Sequence, residues 1–439
     1  MLEAQVSDFG PARGGGGWPL RLSARVADRL SFWSCVVVLL IYSQGWVMLF
    51  TGPQGDPGNS DMIRNLTTPA YAISLVLAFT AGWRTLRAIV CSPLLWALLG
   101  LVFLSMLWSV DPSTTVRRAI AVLLTSIAGL VIASRYDWPR LTAVVAATFA
   151  ILAVASFIAG AFVPSYGRMT TLFPGAWQGL WNEKNALGDR MTMGFLVLVA
   201  AAILNPRQRR MWLGFAGLAL FLVIMSTSKT SLVALSLGMM AVGFIYVVRR
   251  GPAYAVAATF IAVTALVLLG FAIVYDTEVF FKLLGKDATL TGRTAIWGAV
   301  LHEIYLRPWT GYGYGAVWSD DSVWSTLAWI KHIAKFRPYH SHESWLNIWL
   351  DLGYVGLGLW AAYYVETWSR AILAAYRNPG AYFALPILVV YSLVALTETI
   401  ALVYNDFVWV LFVLIAVRLA LGARSVEQTP PLAQTAAAL

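Results

Sequence analysis

The residues able to do chemistry in this chain are gathered in one stretch. All four histidines (His302, His332, His340, His342) lie between positions 276 and 356, with Arg293, Arg307, Arg337 and several carboxylates, in a chain of which only 12% is charged. An imidazole titrates near neutral pH, and an arginine fork grips phosphate or carboxylate oxygens in pairs. His342 opens HESWLNIWLDLG, where Glu343, Asn347 and Asp351 fall at i, i+4 and i+8. On a helix these share one face. Because the segment runs on into hydrocarbon, that stripe must look toward protein or water. A metal reading of His340, His342 and Glu343 lacks a distant third ligand of obvious spacing. The bland reading, histidines as interfacial polar residues, has to explain why every histidine sits in one loop.

Two further places add cations on the same side of the expected topology. LWNEKNALGDR brings Lys184 and Arg190, and STSKTS brings Lys229 between hydroxyls. Any one lysine is explained by snorkelling to headgroups. Arg293, Arg337, Lys184 and Lys229 around a histidine are better explained by a polyanion, and diphosphate is the polyanion most at home on a membrane surface.

The elements that must hold these residues are hydrocarbon. With 59% hydrophobic residues, a mean hydropathy of +0.71 and 20 tryptophans, the 439-residue chain is a polytopic membrane protein. Its net charge of +10 is accounted for by loop arginines, and nucleic acid is not a partner. Cys35 and Cys91 lie in apolar runs and imply no disulfide or thiolate site. Apolar runs near 31–50, 67–83, 88–108, 119–134, 141–163, 191–204, 212–227, 231–248, 253–275, 345–364, 383–402 and 406–421 suggest about twelve spans. Alternate loops carry Arg84/Arg87, Arg135/Arg140, Arg207/Arg209/Arg210, Arg249/Arg250, Arg370/Arg377 and Arg418/Arg424. By the positive-inside rule these loops and both termini are cytoplasmic. The expected layout is all-α: a disordered tail over 1–30, spans over 31–275, a large outer loop over 276–344, spans over 345–421 and a second tail over 422–439.

The outer loop is itself periodic. Arg293, Trp297, Leu301 and Ile304 predict a helix that Pro308 ends, and Val323, Leu327, Ile330 and Ala334 predict a second over about 322–336. Both have the character of interfacial helices. The intervening GYGYG frees a backbone for close approach, to a ligand or merely within a turn.

Gly292, Arg293 and Trp297, then RPWTGYGYG, then HESWLNIWLDLGYVG from His342 to Gly356, resemble the O-antigen ligase and polymerase family. WNEKNALG and STSKTS resemble outer loops of its exopolysaccharide-polymerase (ExoQ-like) branch. The likeness covers most of the chain's topology through short, degenerate motifs. It departs at Glu343, where the family has Asn, and at Lys229, where it has Arg, which leaves the fine substrate contacts open.

The resemblance implies a GT-C-like scaffold in the bacterial inner membrane, with a periplasmic active site. It implies inverting transfer from an undecaprenyl-diphosphate-linked glycan to a sugar hydroxyl, on a growing glycan or on lipid A-core, without a metal or other cofactor. The assignments that follow are Arg293 as main diphosphate contact, with Lys184, Lys229 and Arg337 as helpers, and His342 as base. Glu343 either orients His342 or is the base itself. A lipid-linked glycan flippase is the rival, but it predicts charges spread through the helices along a path. Here the intramembrane charges are few (Asp351, Glu398).

Overall fold

The computed structural model describes residues 23–51, 60–170, 173–275, 293–319 and 322–422. Most of the first tail, the 276–292 start of the outer loop and all but the first residue of the last tail therefore lie outside the described residues. Among those described the architecture is all α, apart from an isolated antiparallel bridge between Arg168 and Trp177. The first helix, Ala24–Tyr42, begins inside the segment expected as a tail, where the Ser23 hydroxyl caps it by accepting the Val26 N–H.

Among the described residues five helices are long and apolar enough to cross a membrane: Pro112–Arg135, Trp138–Phe162, Lys184–Leu204, Pro206–Met225 and Lys229–Val248. A sixth candidate is broken, because Asn65–Ala81 and Trp83–Val90 meet at 102°. Gly82 sits at that break with φ 51, a conformation glycine adopts without Cβ strain. Pro93–Leu107, Pro252–Ala265, Ala381–Ala395 and Phe407–Ala420 are apolar but shorter. The composition thus located the hydrocarbon, whereas the number of independent crossings depends on where glycine and proline interrupt it.

One short helix organises the rest. Every residue of Phe407–Ala420 from Phe407 to Arg418 is buried, as expected of a helix apolar on all sides. Its N-cap, Asp406, accepts the Val408 and Trp409 N–H groups. It packs on Pro112–Arg135, where a Cβ on Gly129 would lie 2.8 Å from the Val410 carbonyl oxygen. Small residues permit this kind of approach between membrane helices.

The outer segment forms a cap with its own small core, in which Ile296, Ala299, Val300, Ile304, Tyr312, Val317, Trp318, Leu327, Ile330 and Leu350 pack together. Its helices are Arg293–Leu306 and Thr326–Ala334. In the first, the buried face runs through Ile296, Ala299, Val300 and Ile304, one position away from the Trp297 and Leu301 stripe read from the sequence. In the second, Leu327, Ile330 and Ala334 are buried as expected, while Val323 is exposed ahead of the helix.

GYGYG is a splice between cap and bundle. Gly311, Gly313 and Gly315 all have positive φ (67, 94 and 67). Tyr312 N–H donates to Leu350 O (3.0 Å) and Gly313 N–H to Asp351 O (2.9 Å). Those carbonyls are free to receive them because the 34-residue Ser344–Arg377 helix breaks at Gly353 (φ 64, ψ −165). The loop reading of GYGYG is the one the backbone fulfils.

Candidate active site

Three segments converge. Arg293 opens the first cap helix, His340 to Glu343 form the turn that enters Ser344–Arg377, and Thr397 to Asn405 link Ala381–Ala395 to the central helix. Ser344 ties the last two together: its hydroxyl donates to Glu398 O (2.8 Å) and accepts from Ile400 N–H (3.0 Å). His342 adopts φ 54, and Leu402 and Asn405 have φ 56 and 57. Such conformations are costly for residues with a Cβ and cluster where surrounding structure enforces them.

The side chains form a relay. Arg293 Nη2 donates to Glu398 Oε1 at 2.7 Å, and Nη1 donates to the Thr397 carbonyl. The other oxygen, Oε2, lies 3.3 Å from His342 Nδ1. One carboxylate therefore joins guanidinium to imidazole, which leaves His342 Nε2 to accept a proton when Nδ1 carries the hydrogen. Burial alone would raise the Glu398 carboxyl, but the hydrogen bond from His342 and the charge of Arg293 outweigh it and hold the group down at about 2. His340 lies against His342 with ring centroids 4.1 Å apart and the rings tilted by 56°, and its Nδ1 accepts the His342 backbone N–H at 3.2 Å. Burial, then the neighbouring His342, push its imidazole down to about 4.

Glu343, expected to orient His342 or to act as base, is engaged instead at the start of the following helix. It is the N-cap of Ser344–Arg377, accepts the Leu346 N–H and is 8% exposed. Burial raises its carboxyl above the usual range, against the backbone donors of Leu346 and Trp345. The carboxylate on the imidazole is Glu398, which the sequence marked only as an acid flanked by hydrocarbon. The stripe below it does face protein: Asn347 Nδ2 donates to Asp351 Oδ2 at 3.2 Å, and Asp351 is buried.

The other expected cations are grouped differently. Arg337 is exposed, three residues before His340. Lys184 and Lys229 each begin a helix, and those two helices pack together. Lys184 Nζ lies 3.7 Å from the centre of the Phe173 ring. Among the described residues no hydrogen bond or ion pair links either lysine to the relay. Arg190 is taken up by Asp406 at 3.3 Å and anchors the central helix.

With this geometry in place, two comparisons bear on the family. Residues 214–361 match the O-antigen ligase family model, a segment that includes Lys229, Arg293, Arg337, His340, His342 and Glu343 and stops short of Glu398. The Exopolysaccharide production protein ExoQ of Rhizobium meliloti (strain 1021) is 26% identical over 278 residues, 60% of this chain and 62% of that protein. Over residues 214–361 the chain is similar to the O-antigen ligases. The segment similar to the O-antigen ligases covers the described cap, the His342 turn and the kinked helix only as far as residue 361, while the Glu398 loop completes the site from beyond it.

Proposed function

We propose that the chain is a membrane glycosyltransferase, a polysaccharide polymerase or O-antigen ligase. Its donor is a glycan on undecaprenyl diphosphate and its acceptor a sugar hydroxyl, on a glycan or on lipid A-core. The reaction takes place on the periplasmic side of the bacterial inner membrane. The observation that carries this reading is the relay in which Glu398 holds Arg293 on one oxygen and His342 on the other.

In the reaction, His342 Nε2 takes the proton of the acceptor hydroxyl as that oxygen bonds to the anomeric carbon. The bond from that carbon to the diphosphate oxygen breaks on the opposite face, which inverts the centre. Arg293 uses its remaining N–H donors on the departing diphosphate, where preorganised charge acts on the transition state without reorganising. Glu398 fixes the His342 tautomer and steadies the imidazolium that forms. Lys184, Lys229 and Arg337 supply further positive charge along the lipid-diphosphate path, and Glu343 keeps the His342 turn in place as a helix cap. No metal enters this mechanism, so transfer should survive EDTA.

The test uses purified protein in detergent with a lipid-linked donor, reading both glycan transfer and lipid-diphosphate release. General-base help is worth about 10²–10⁴ in rate. His342→Ala should lose a factor in that range while donor binding, measured separately, persists. Full turnover in His342→Ala, or a wild-type protein that binds donor yet never releases lipid diphosphate, would overturn the proposal.

A further inference from the structure

The site has a second capacity that transfer does not use. The pair His340 and His342, two residues apart, gains its distant third donor from the fold: one ligand atom each from His340, His342 and Glu398 lie within 4.8 Å of one another. Two imidazoles and a carboxylate, with a fourth position open, are a zinc-class donor set, whereas magnesium and calcium prefer all-oxygen surroundings. We propose that His340, His342 and Glu398 bind a divalent transition-metal ion of the zinc class, and that its binding silences the His342 base. The binding half stands on this geometry alone, and the silencing half rests on the proposed transferase reading.

The geometry is partly set for an ion. Zinc bonds of 2.0–2.1 Å in a tetrahedron place neighbouring ligand atoms about 3.4 Å apart. His342 Nδ1 and Glu398 Oε2 are already 3.3 Å apart. Glu398 Oε1 stays with Arg293, and Ser344 holds the Glu398 backbone, so the carboxylate is oriented from outside as ligating carboxylates usually are. His340 supplies the third bond through a ring nitrogen. The positive charge of Arg293 on the same carboxylate weakens cation binding and sets the affinity at a regulatory rather than a structural level.

Inhibition follows from the tautomer. In the transferase geometry Nδ1 of His342 carries the hydrogen toward Glu398 and Nε2 holds the lone pair. A metal on Nδ1 moves that hydrogen to Nε2, with no net proton released from this ring, and Nε2 can no longer accept the acceptor's proton. Base and metal site are alternative states of the same imidazole.

The experiment titrates Co²⁺, as the spectroscopic stand-in for zinc, into full-length detergent-purified protein carrying no polyhistidine tag. The expected result is one equivalent bound with visible d–d bands, displaced by Zn²⁺. His340→Ala and Glu398→Gln should each weaken binding at least tenfold, and His332→Ala, on the exposed cap helix, should leave it unchanged. Transfer should be inhibited by micromolar Zn²⁺ and restored by chelator, with His340→Ala at least tenfold less zinc-sensitive. Cobalt bound equally by wild type and His340→Ala, each checked as monodisperse, overturns the site. Binding without any effect of zinc on transfer overturns the silencing. Should the protein prove to have no transferase activity, the cobalt arm still decides the site, and only the proposed function falls.

Discussion

At the scale of single residues, the decisive question is which carboxylate serves the histidine. Glu343 and Glu398 differ in what their oxygens touch: one accepts a helix N–H, the other joins Arg293 to His342. Glu343→Gln keeps an amide oxygen at the cap, so turnover per folded protein should stay within a few-fold of wild type. Glu398→Gln replaces one carboxylate oxygen with a donor that faces either Arg293 or His342 Nδ1–H, and should lose about 10²-fold or more. Parallel turnover measurements at matched protein level decide, and a dead Glu343→Gln beside an active Glu398→Gln would return the base role to Glu343. Arg293→Lys should rescue little of an inactive Arg293→Ala, because a point charge cannot hold Glu398 and the Thr397 carbonyl together and still meet phosphate. Near-normal glycan in the lysine strain would show that charge alone matters there. His342 and Arg293 were legible because histidine and arginine are rare in hydrocarbon. Glu398 was legible only as an anomaly, one of two charges expected within the membrane and set inside the apolar run 383–402, since nothing in a sequence states which distant loop folds onto which turn.

Elements decide how rigidly that relay is held. The Ser344–Arg377 helix carries the site at one end and breaks at Gly353, where a Cβ would overlap the Trp309 carbonyl. The break frees Leu350 and Asp351 carbonyls for the GYGYG backbone, and Tyr354 N–H closes on Pro308 O at 2.8 Å. The φ/ψ at Gly353 belongs to a region open essentially to glycine, where another residue costs about 1–3 kcal/mol before any clash. Gly353→Ala should therefore lower the detergent melting temperature and reduce transfer together, whereas Gly358→Ala, on the same helix with open space at its Cβ, should change neither. An unaltered melting curve for Gly353→Ala would mean that the splice does not hold the cap. The periodicities announced both cap helices, with Leu327, Ile330 and Ala334 on the expected face. They missed the face of the first by one position because Trp297 is drawn to the Ser341 carbonyl (2.9 Å) instead of the cap core. They also read Ser344–Arg377 as an uninterrupted start to a span, since a single glycine looks the same in a turn, a kink or a close contact.

For the whole molecule, orientation turns on which end of the bundle holds which charges. The loop arginines that orient the chain gather at one end: Arg84 Nη1 donates to Arg135 O, Arg135 to Ser31, Arg140 pairs with Asp28 at 2.7 Å, and Arg418 lies over Trp138. Asn205 joins that end through Pro139 O at 3.2 Å. The Lys184–Leu204 helix runs from Asn205 to the opposite end, where Lys184 begins it. His342 and Glu398 belong with this second end, because the Phe407–Ala420 helix leads from the Glu398 loop back to Arg418. Arginine clusters next to spans are retained on the cytoplasmic side, so the relay should open to the periplasm. A reporter active only in the periplasm should accordingly be active when fused after Trp318, in the cap, and silent when fused after Asn205. The fusions must be compared at equal expression, because a truncated bundle lacks Phe407–Ala420 and can be degraded. Insertion of the same reporter into the otherwise complete chain at both positions guards against that. The reverse pattern in the complete chain would put the relay on the cytoplasmic face, away from any lipid-linked glycan already delivered across the membrane, and the transferase reading would fail together with the orientation.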